Sequence, residues 1–218
     1  MIEFVERARF PLLGYVGTMT PRGISVEHGR QVETGEHRFS DGVWDRPFAE
    51  DPDEHSYVFG SVGLLNEAHL TLLSSQAPID RVFISRNDQH EVVFSNSLPL
   101  LLNALRDDLD PNHLHYRSEM MAVEASVKYA PRTIRLLSGR EVRILWNEIA
   151  TITQDGGLAV RLRPPERAFS DFADYRNFLS TGVRDVVENA QDIARTRPFR
   201  PLPTISAGYD SSVVAVLA

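Results

Sequence analysis

The chain has 218 residues, of which 42% are hydrophobic and 24% are charged, and its formal net charge is −7 at pH 7. This composition is typical of a globular protein with one large domain or two modest ones, and it excludes a fibrous or wholly disordered chain. The acidic balance argues against a general nucleic-acid-binding surface, which needs a basic face. No apolar stretch approaches the roughly 18 residues of a membrane span, and the N-terminus lacks a signal-peptide pattern, so we expect a cytoplasmic protein.

The sequence contains no cysteine. Disulfide bonds, thiolate metal sites and a cysteine nucleophile are therefore excluded for these residues.

Residues 1–165 are β-rich. Apolar segments alternate there with clusters of Gly, Pro, Asn and Asp, which is typical of short strands separated by turns. Asp155 and Gly156 form a good hairpin turn because glycine readily adopts a positive φ. The strands are predicted at residues 12–16, 57–60, 82–84, 92–94, 142–146 and 158–162.

Two helices are predicted within this β-rich part. The first spans residues 98–106, with Ser97 as its N-cap and Pro99 in its first turn, where proline is tolerated. The second runs from about His115 to Lys128, and its methionines are predicted to be core residues.

The composition changes at Arg163-Pro164-Pro165-Glu166, where consecutive prolines end strand pairing, so we place a domain boundary here. The two predicted domains are residues 1–165 and 166–218. A long helix follows, with Ser170 as its predicted N-cap and an apolar residue every three or four positions from Phe172 to Ala190.

Two groups of residues are weighed as metal ligands. The acidic segment 49–55 is most simply a solvated loop, with a metal site as the alternative. His113 and His115 could lie on one side of a strand or loop, but no cysteine or acidic cluster beside them supports a metal.

The last sixteen residues, 203–218, carry the strongest functional signal. A short apolar strand ending at Ile205 is followed by the small-residue loop Ser206-Ala207-Gly208, and Asp210-Ser211-Ser212 then opens an apolar helix. This arrangement directs N–H groups and hydroxyls to one point beside a helix N-terminus, where an anion is stabilised. A strand–turn–helix without any ligand is the alternative.

The run resembles the S-G-G-x-D-S pyrophosphate-binding loop (PP-loop) of the N-type ATP pyrophosphatases. The resemblance implies that ATP and Mg²⁺ are the cofactors. Asp210 would help to hold the metal. The residues implied to bind ATP are Ser206, Ala207, Gly208, Asp210, Ser211 and Ser212. A parallel sheet needs further strands beside the one at 202–205, so we expect the polypeptide to continue past Ala218.

The order of the parts is similar to that of the asparagine synthetase family. Residues 81–105 match a strand, turn, strand and leucine-rich helix of that family, and residues 129–140 and the helix at 171–190 fall where the family has them. The resemblance implies an α+β amidotransferase-like first domain of layered sheets, followed by the start of an α/β parallel-sheet PP-loop domain. It covers residues 55–218 and is carried mainly by the last thirty.

The sequence departs from the family in two places. Glutamine-using members begin Met-Cys, and that cysteine hydrolyses glutamine; residue 2 here is Ile. Ala207 replaces the second glycine of the S-G-G pattern, and its methyl group could crowd a phosphate.

We therefore expect an asparagine synthetase-like, ATP-dependent amide-forming ligase without glutaminase activity, whose residues 1–218 alone are inactive. The expected partners are ATP, an unidentified carboxylate and an unidentified amine. The sequence does not decide between a monomer and a homodimer. The alternatives are another PP-loop pyrophosphatase, such as a tRNA-modifying or NAD-forming enzyme, and a non-catalytic binding or assembly module whose loop has decayed at Ala207.

Overall fold

Two β-sheets lie face to face, with helices packed outside them. The computed structural model describes residues 2–66, 68–77, 79–122, 126–164 and 168–200. The architecture is a mixed α+β fold that is rich in strands and built in layers, as predicted. No helix within these ranges is long and apolar enough to span a membrane.

The described strands, in chain order, are β1 (Ile2–Glu6), β2 (Tyr15–Thr20), β3 (Gly23–His28), β4 (Glu33–Thr34), β5 (Arg38–Ser40), β6 (Val43–Trp44), β7 (Val58–Phe59), β8 (Val62–Asn66), β9 (His69–Leu73), β10 (Val82–Arg86), β11 (Val92–Ser95), β12 (Thr133–Arg135), β13 (Glu141–Leu145), β14 (Glu148–Thr153) and β15 (Leu158–Leu162). The α-helices are α1 (Leu98–Leu105), α2 (Tyr116–Met121) and α3 (Phe172–Gln191), and a 3₁₀ turn spans Val127–Tyr129.

The first sheet has seven strands in the order β1-β3-β2-β11-β10-β13-β12. All its pairs are antiparallel except β1 with β3. The second sheet has six antiparallel strands in the order β15-β14-β9-β8-β5-β4. Strands β6 and β7 form a separate two-stranded ribbon.

Two stacked aromatic rings join the sheets at the centre of the core. Phe39 on β5 and Phe94 on β11 are fully buried, and their ring centroids lie 6.0 Å apart at an interplanar angle of 16°. Each ring covers the glycine directly opposite it on the neighbouring strand: Phe39 covers Gly63, and Phe94 covers Gly17. A Cβ at either glycine would lie 2.2 Å from the ring. The absence of a side chain at these glycines therefore makes room for the aromatic layer between the sheets.

The outer face of the first sheet is covered by α1 and α2. On β11, Val92 and Phe94 belong to the core between the sheets, whereas Val93 packs with Leu101 of α1 and Met120 of α2. Successive side chains of a strand point to opposite faces, so a strand buried on both faces is a continuous apolar run. The short apolar runs at residues 82–84 and 92–94 therefore form strands that are buried on both faces.

Helix α3 packs against the β6–β7 ribbon. The buried Asn189 of α3 accepts a hydrogen bond from the backbone N–H of Trp44 (3.3 Å) and donates one to the carbonyl of Arg46 (2.7 Å). Arg195 donates to the carbonyls of Asn189 (2.6 Å) and Gly42 (3.0 Å). Buried side chains of the last part of α3 and the turn after it thus attach α3 to residues 42–46.

Helix α2 is shorter than predicted, since it ends at Met121, and Val123–Ala125 lie outside the described residues. Helix α1 matches its prediction, and Ser97 occupies its N-cap without a side-chain capping bond.

The N-cap of α3 was predicted wrongly. Asp171, and not Ser170, is the N-cap, and its carboxylate accepts from the N–H of Asp174 at 2.9 Å. A carboxylate at this position also interacts favourably with the positive end of the helix.

Replacing Asp171 by Ala is expected to destabilise α3 by about 1 kcal/mol, because an N-cap bond and a favourable dipole interaction are both lost. Amide hydrogen exchange of the first turn of α3 measures this change. Ser170→Ala is the matched control and should have little effect, since the hydroxyl of Ser170 makes only a 3.5 Å contact with Asp174. Equal effects of the two substitutions would contradict the assignment of the cap.

Candidate functional site

The six predicted ATP-binding residues lie outside the described residues. They are Ser206, Ala207, Gly208, Asp210, Ser211 and Ser212. Part of the predicted domain boundary is described: Arg163 is buried and donates to the carbonyls of Ser56 (3.0 Å) and Ser74 (2.9 Å), which ties it to the second sheet. The boundary itself stays a prediction.

A cavity of about 810 Å³ lies where the N-terminus of α1, the loops before β6 and β10, and the last part of α3 meet. Its size is within the range of small-molecule sites. Its wall includes two charged groups, a cluster around Asp41 and the adjacent Asp80 and Arg81, together with Ser97 and Tyr116.

Asp41 follows β5 and is the centre of the first polar group. Its Oδ1 accepts from the backbone N–H (2.6 Å) and the hydroxyl (2.7 Å) of Ser61, and its Oδ2 accepts from the amide of Asn96 (2.6 Å). The hydroxyls of Ser61 and Tyr15 are 2.7 Å apart. Asn96 also donates to the carbonyl of Leu13 and accepts from the N–H of Tyr15. The cluster therefore links the two sheets by hydrogen bonds.

Burial raises the pKa of Asp41, and the donors Ser61 and Asn96 oppose this shift. Burial, followed by the nearby carboxylate of Asp41, raises the pKa of the Tyr15 hydroxyl well above its usual value. Ser61 is only 2% exposed, and its hydroxyl is already bonded to both neighbours. This hydroxyl is thus built into the structure and is not an open nucleophile.

Close backbone packing fixes the loops that carry this cluster. A Cβ at Gly42 would lie 1.8 Å from the carbonyl oxygen of Phe59, and Gly60 has a φ of +88°, which favours glycine. Asp41 and Ser61 are therefore held by two loops that contact each other through their backbones. Sequence reasoning missed Asp41, Ser61 and Asn96, because the three lie far apart along the chain.

Arg81, just before β10, is the second polar group of the cavity wall. Its guanidinium lies over the ring of Trp146, 4.5 Å from the centroid. Burial lowers the pKa of Arg81, while Tyr116 and Asp80 nearby oppose the shift. In the sequence, Arg81 is marked only by its place at the start of an apolar run.

The sequence matches no protein-family model and no curated protein sequence. The resemblance to the asparagine synthetase family thus depends on the motifs and their order along the chain. Any function of the cavity or of the motif at 206–212 therefore has to be argued from the residues that form them.

The described residues weighed as metal ligands make other contacts. Within segment 49–55, Asp51 pairs with Arg38 (2.7 Å) and Asp53 with Arg46 (2.5 Å). His113 contacts Glu119 at 2.7 Å. In the described ranges, no group of three or more His, Cys, Asp or Glu residues could hold a metal ion.

Proposed function

We propose that this chain contains an N-terminal domain and the PP-loop of an ATP-dependent, AMP-forming ligase that makes an amide bond. The observation that carries the proposal is the sequence of residues 203–218, in which a predicted apolar strand, the small residues Ser206-Ala207-Gly208 and then Asp210-Ser211-Ser212 precede a predicted apolar helix. Backbone N–H groups and hydroxyls in that order suit a pyrophosphate.

We further propose that the layered sheets are a degenerate amidotransferase fold that serves as a scaffold and does not hydrolyse glutamine. Two observations support this. The 218 residues contain no cysteine, and the buried hydroxyl of Ser61 is bonded to Asp41 and Tyr15 rather than free to attack a substrate. The amine or ammonia would then come from solution or from another protein.

The proposed reaction has two steps. A carboxylate oxygen of the substrate attacks the α-phosphorus of ATP, and the bond to the bridging oxygen of the β-phosphate breaks, so that pyrophosphate leaves. An amine then attacks the acyl carbon, AMP leaves, and the amine loses a proton to form the amide. Ser206, Gly208, Ser211 and Ser212 would bind the pyrophosphate, and Asp210 would hold Mg²⁺, which neutralises charge on the leaving group.

The test is ATP–pyrophosphate exchange by the protein that its natural gene encodes, assayed with a panel of carboxylic acids. We expect exchange with at least one acid. Asp210→Asn should lower the exchange rate by on the order of 100-fold, because the variant loses a charged ligand of the metal on the leaving group.

Asp108→Asn is the matched control, since Asp108 is exposed and far from the loop in sequence. It should leave the exchange rate unchanged. Exchange that survives Asp210→Asn would contradict the assignment of the loop. Nucleotide binding without exchange for any acid would favour the non-catalytic module.

A further inference from the structure

The guanidinium of Arg81 is held in one orientation at the cavity wall. It stacks on Trp146, and the indole N–H of Trp146 donates to the carbonyl of Pro131 at 2.7 Å, which fixes the ring. Trp146 itself is 1% exposed. A planar guanidinium stacked in this way keeps its donors at its edges, where a planar anion can accept two of them.

Among the described residues, Arg81 has no hydrogen-bonding or ion-pair partner. Its Nε is buried without an acceptor. The interior residues Arg163 and Arg195 differ, because each donates to two or more backbone carbonyls or side-chain oxygens. Asp80 also lines the cavity and favours the charged form of Arg81, but its carboxylate accepts from Ser75 and lies beyond ion-pair distance of the guanidinium. A cation at a cavity wall that lacks a partner is a site for an anion.

The rest of the cavity suits an anion with an apolar body. The N-terminus of α1 contributes Ser97, Leu98 and Pro99 to the wall, and the Ser97 side chain makes no capping bond to the helix. Tyr116 contributes a further hydroxyl-bearing side chain. Apolar side chains form much of the remaining wall: Val43, Phe59, Ile79, Phe83, Val186 and Val187.

We propose that this cavity binds a small organic carboxylate, whose carboxylate group pairs with Arg81 and whose hydrocarbon part contacts the apolar wall. Asp41 lies in the same wall, but its oxygens already accept from Ser61 and Asn96. Asp41 therefore leaves the guanidinium of Arg81 available to a ligand. Binding of a carboxylate at Arg81 would not depend on whether residues 206–212 bind ATP.

The experiment is calorimetric titration of the natural full-length protein with hexanoate, hexanamide and inorganic phosphate at neutral pH. Hexanoate and hexanamide have the same hydrocarbon chain and differ in charge. We expect saturable binding of hexanoate, binding of hexanamide that is at least tenfold weaker, and no displacement of hexanoate by phosphate. A charge-assisted hydrogen bond contributes about 1.5–3 kcal/mol, which corresponds to tenfold or more in affinity.

Arg81→Gln should weaken hexanoate binding at least tenfold and leave hexanamide binding unchanged. Arg81→Lys, which keeps the charge and loses the planar donors, should retain a preference for hexanoate over hexanamide with reduced affinity. Arg22→Gln is the matched control, because Arg22 is exposed in the turn between β2 and β3, and it should bind hexanoate like the wild type.

Three results would overturn the proposal. The first is a wild-type protein that does not bind hexanoate saturably, or that binds hexanoate and hexanamide equally. This comparison needs no variant. The second is wild-type affinity for hexanoate in folded Arg81→Gln. The third is displacement of hexanoate by phosphate, which would indicate a general anion site. If Arg81→Gln does not fold, loss of the hexanoate preference in Arg81→Lys would count against the proposal.

Discussion

Replacing Phe39 by Ala is expected to lower the free energy of unfolding by about 3–5 kcal/mol, as for other large-to-small substitutions in a core. Phe39 is fully buried, stacks on Phe94 of the other sheet, and lies edge-to-face with Tyr15 at 5.1 Å. Its removal leaves a cavity between two sheets whose backbones cannot approach each other. Chemical denaturation followed by tryptophan fluorescence measures the change, since Trp44 and Trp146 are both buried.

Gly63, which lies under the ring of Phe39, allows a second test of the same contact. Gly63→Ala alone should cost about 1–3 kcal/mol, because the new Cβ would overpack against the ring of Phe39. In the Phe39→Ala background the same substitution should cost much less, because the ring is gone. Additive effects in this double-mutant cycle would contradict the proposed contact. Phe172→Ala is the control, since Phe172 is 76% exposed, and it should change stability by less than about 0.5 kcal/mol.

The sequence predicted strands best where an apolar run is bounded by turn residues. Residues 158–162 were predicted with the bounds that β15 has, and β10, β11 and β13 were each found to within two residues. Gly156 takes a φ of +84°, as the predicted hairpin turn requires. Strand β2 was placed three residues too early, because the apolar run at 12–16 begins in a loop.

Strands without a strong apolar signal were missed. The pattern of β3 alternates between buried and half-buried residues, and β5 has only three residues beginning with Arg38. Strand β14 reads Glu-Ile-Ala-Thr-Ile-Thr, and its buried Glu148 breaks the apolar pattern. Such strands are specified by their partners across the sheet, which one sequence does not reveal.

The cavity was beyond prediction for a related reason. Asp41 meets Ser61 and Asn96 only because the ends of β5 and β11 lie near the beginning of β8 in the fold. Arg81 becomes distinctive only in the folded chain, where its guanidinium stacks on Trp146 and the described residues offer it no hydrogen-bond acceptor. The motif at 206–212 differs, since its residues are contiguous and can be recognised in the sequence, and its role stays a prediction.

Replacing Glu148 by Gln is expected to cost about 2–3 kcal/mol of stability, because it removes the charge that two arginines share. Glu148 is 4% exposed at the start of β14. Its carboxylate accepts from Arg143 at 2.8 Å and from the N–H of Trp146 at 3.2 Å, and it pairs with Arg132 at 3.1 Å. A glutamine at this position would turn an amide donor toward a guanidinium, leaving donors without acceptors.

The expected cost lies below the full penalty for breaking a buried pair, because about a third of each arginine side chain stays exposed and can be hydrated. Glu141→Gln is the matched control. Glu141 is exposed on β13, so its substitution should change the free energy of unfolding by less than about 0.5 kcal/mol. A loss below about 1 kcal/mol for Glu148→Gln would mean that this group behaves like a surface ion pair. The Trp146 ring beneath Arg81 would then be held mainly by its bond to Pro131 and by packing.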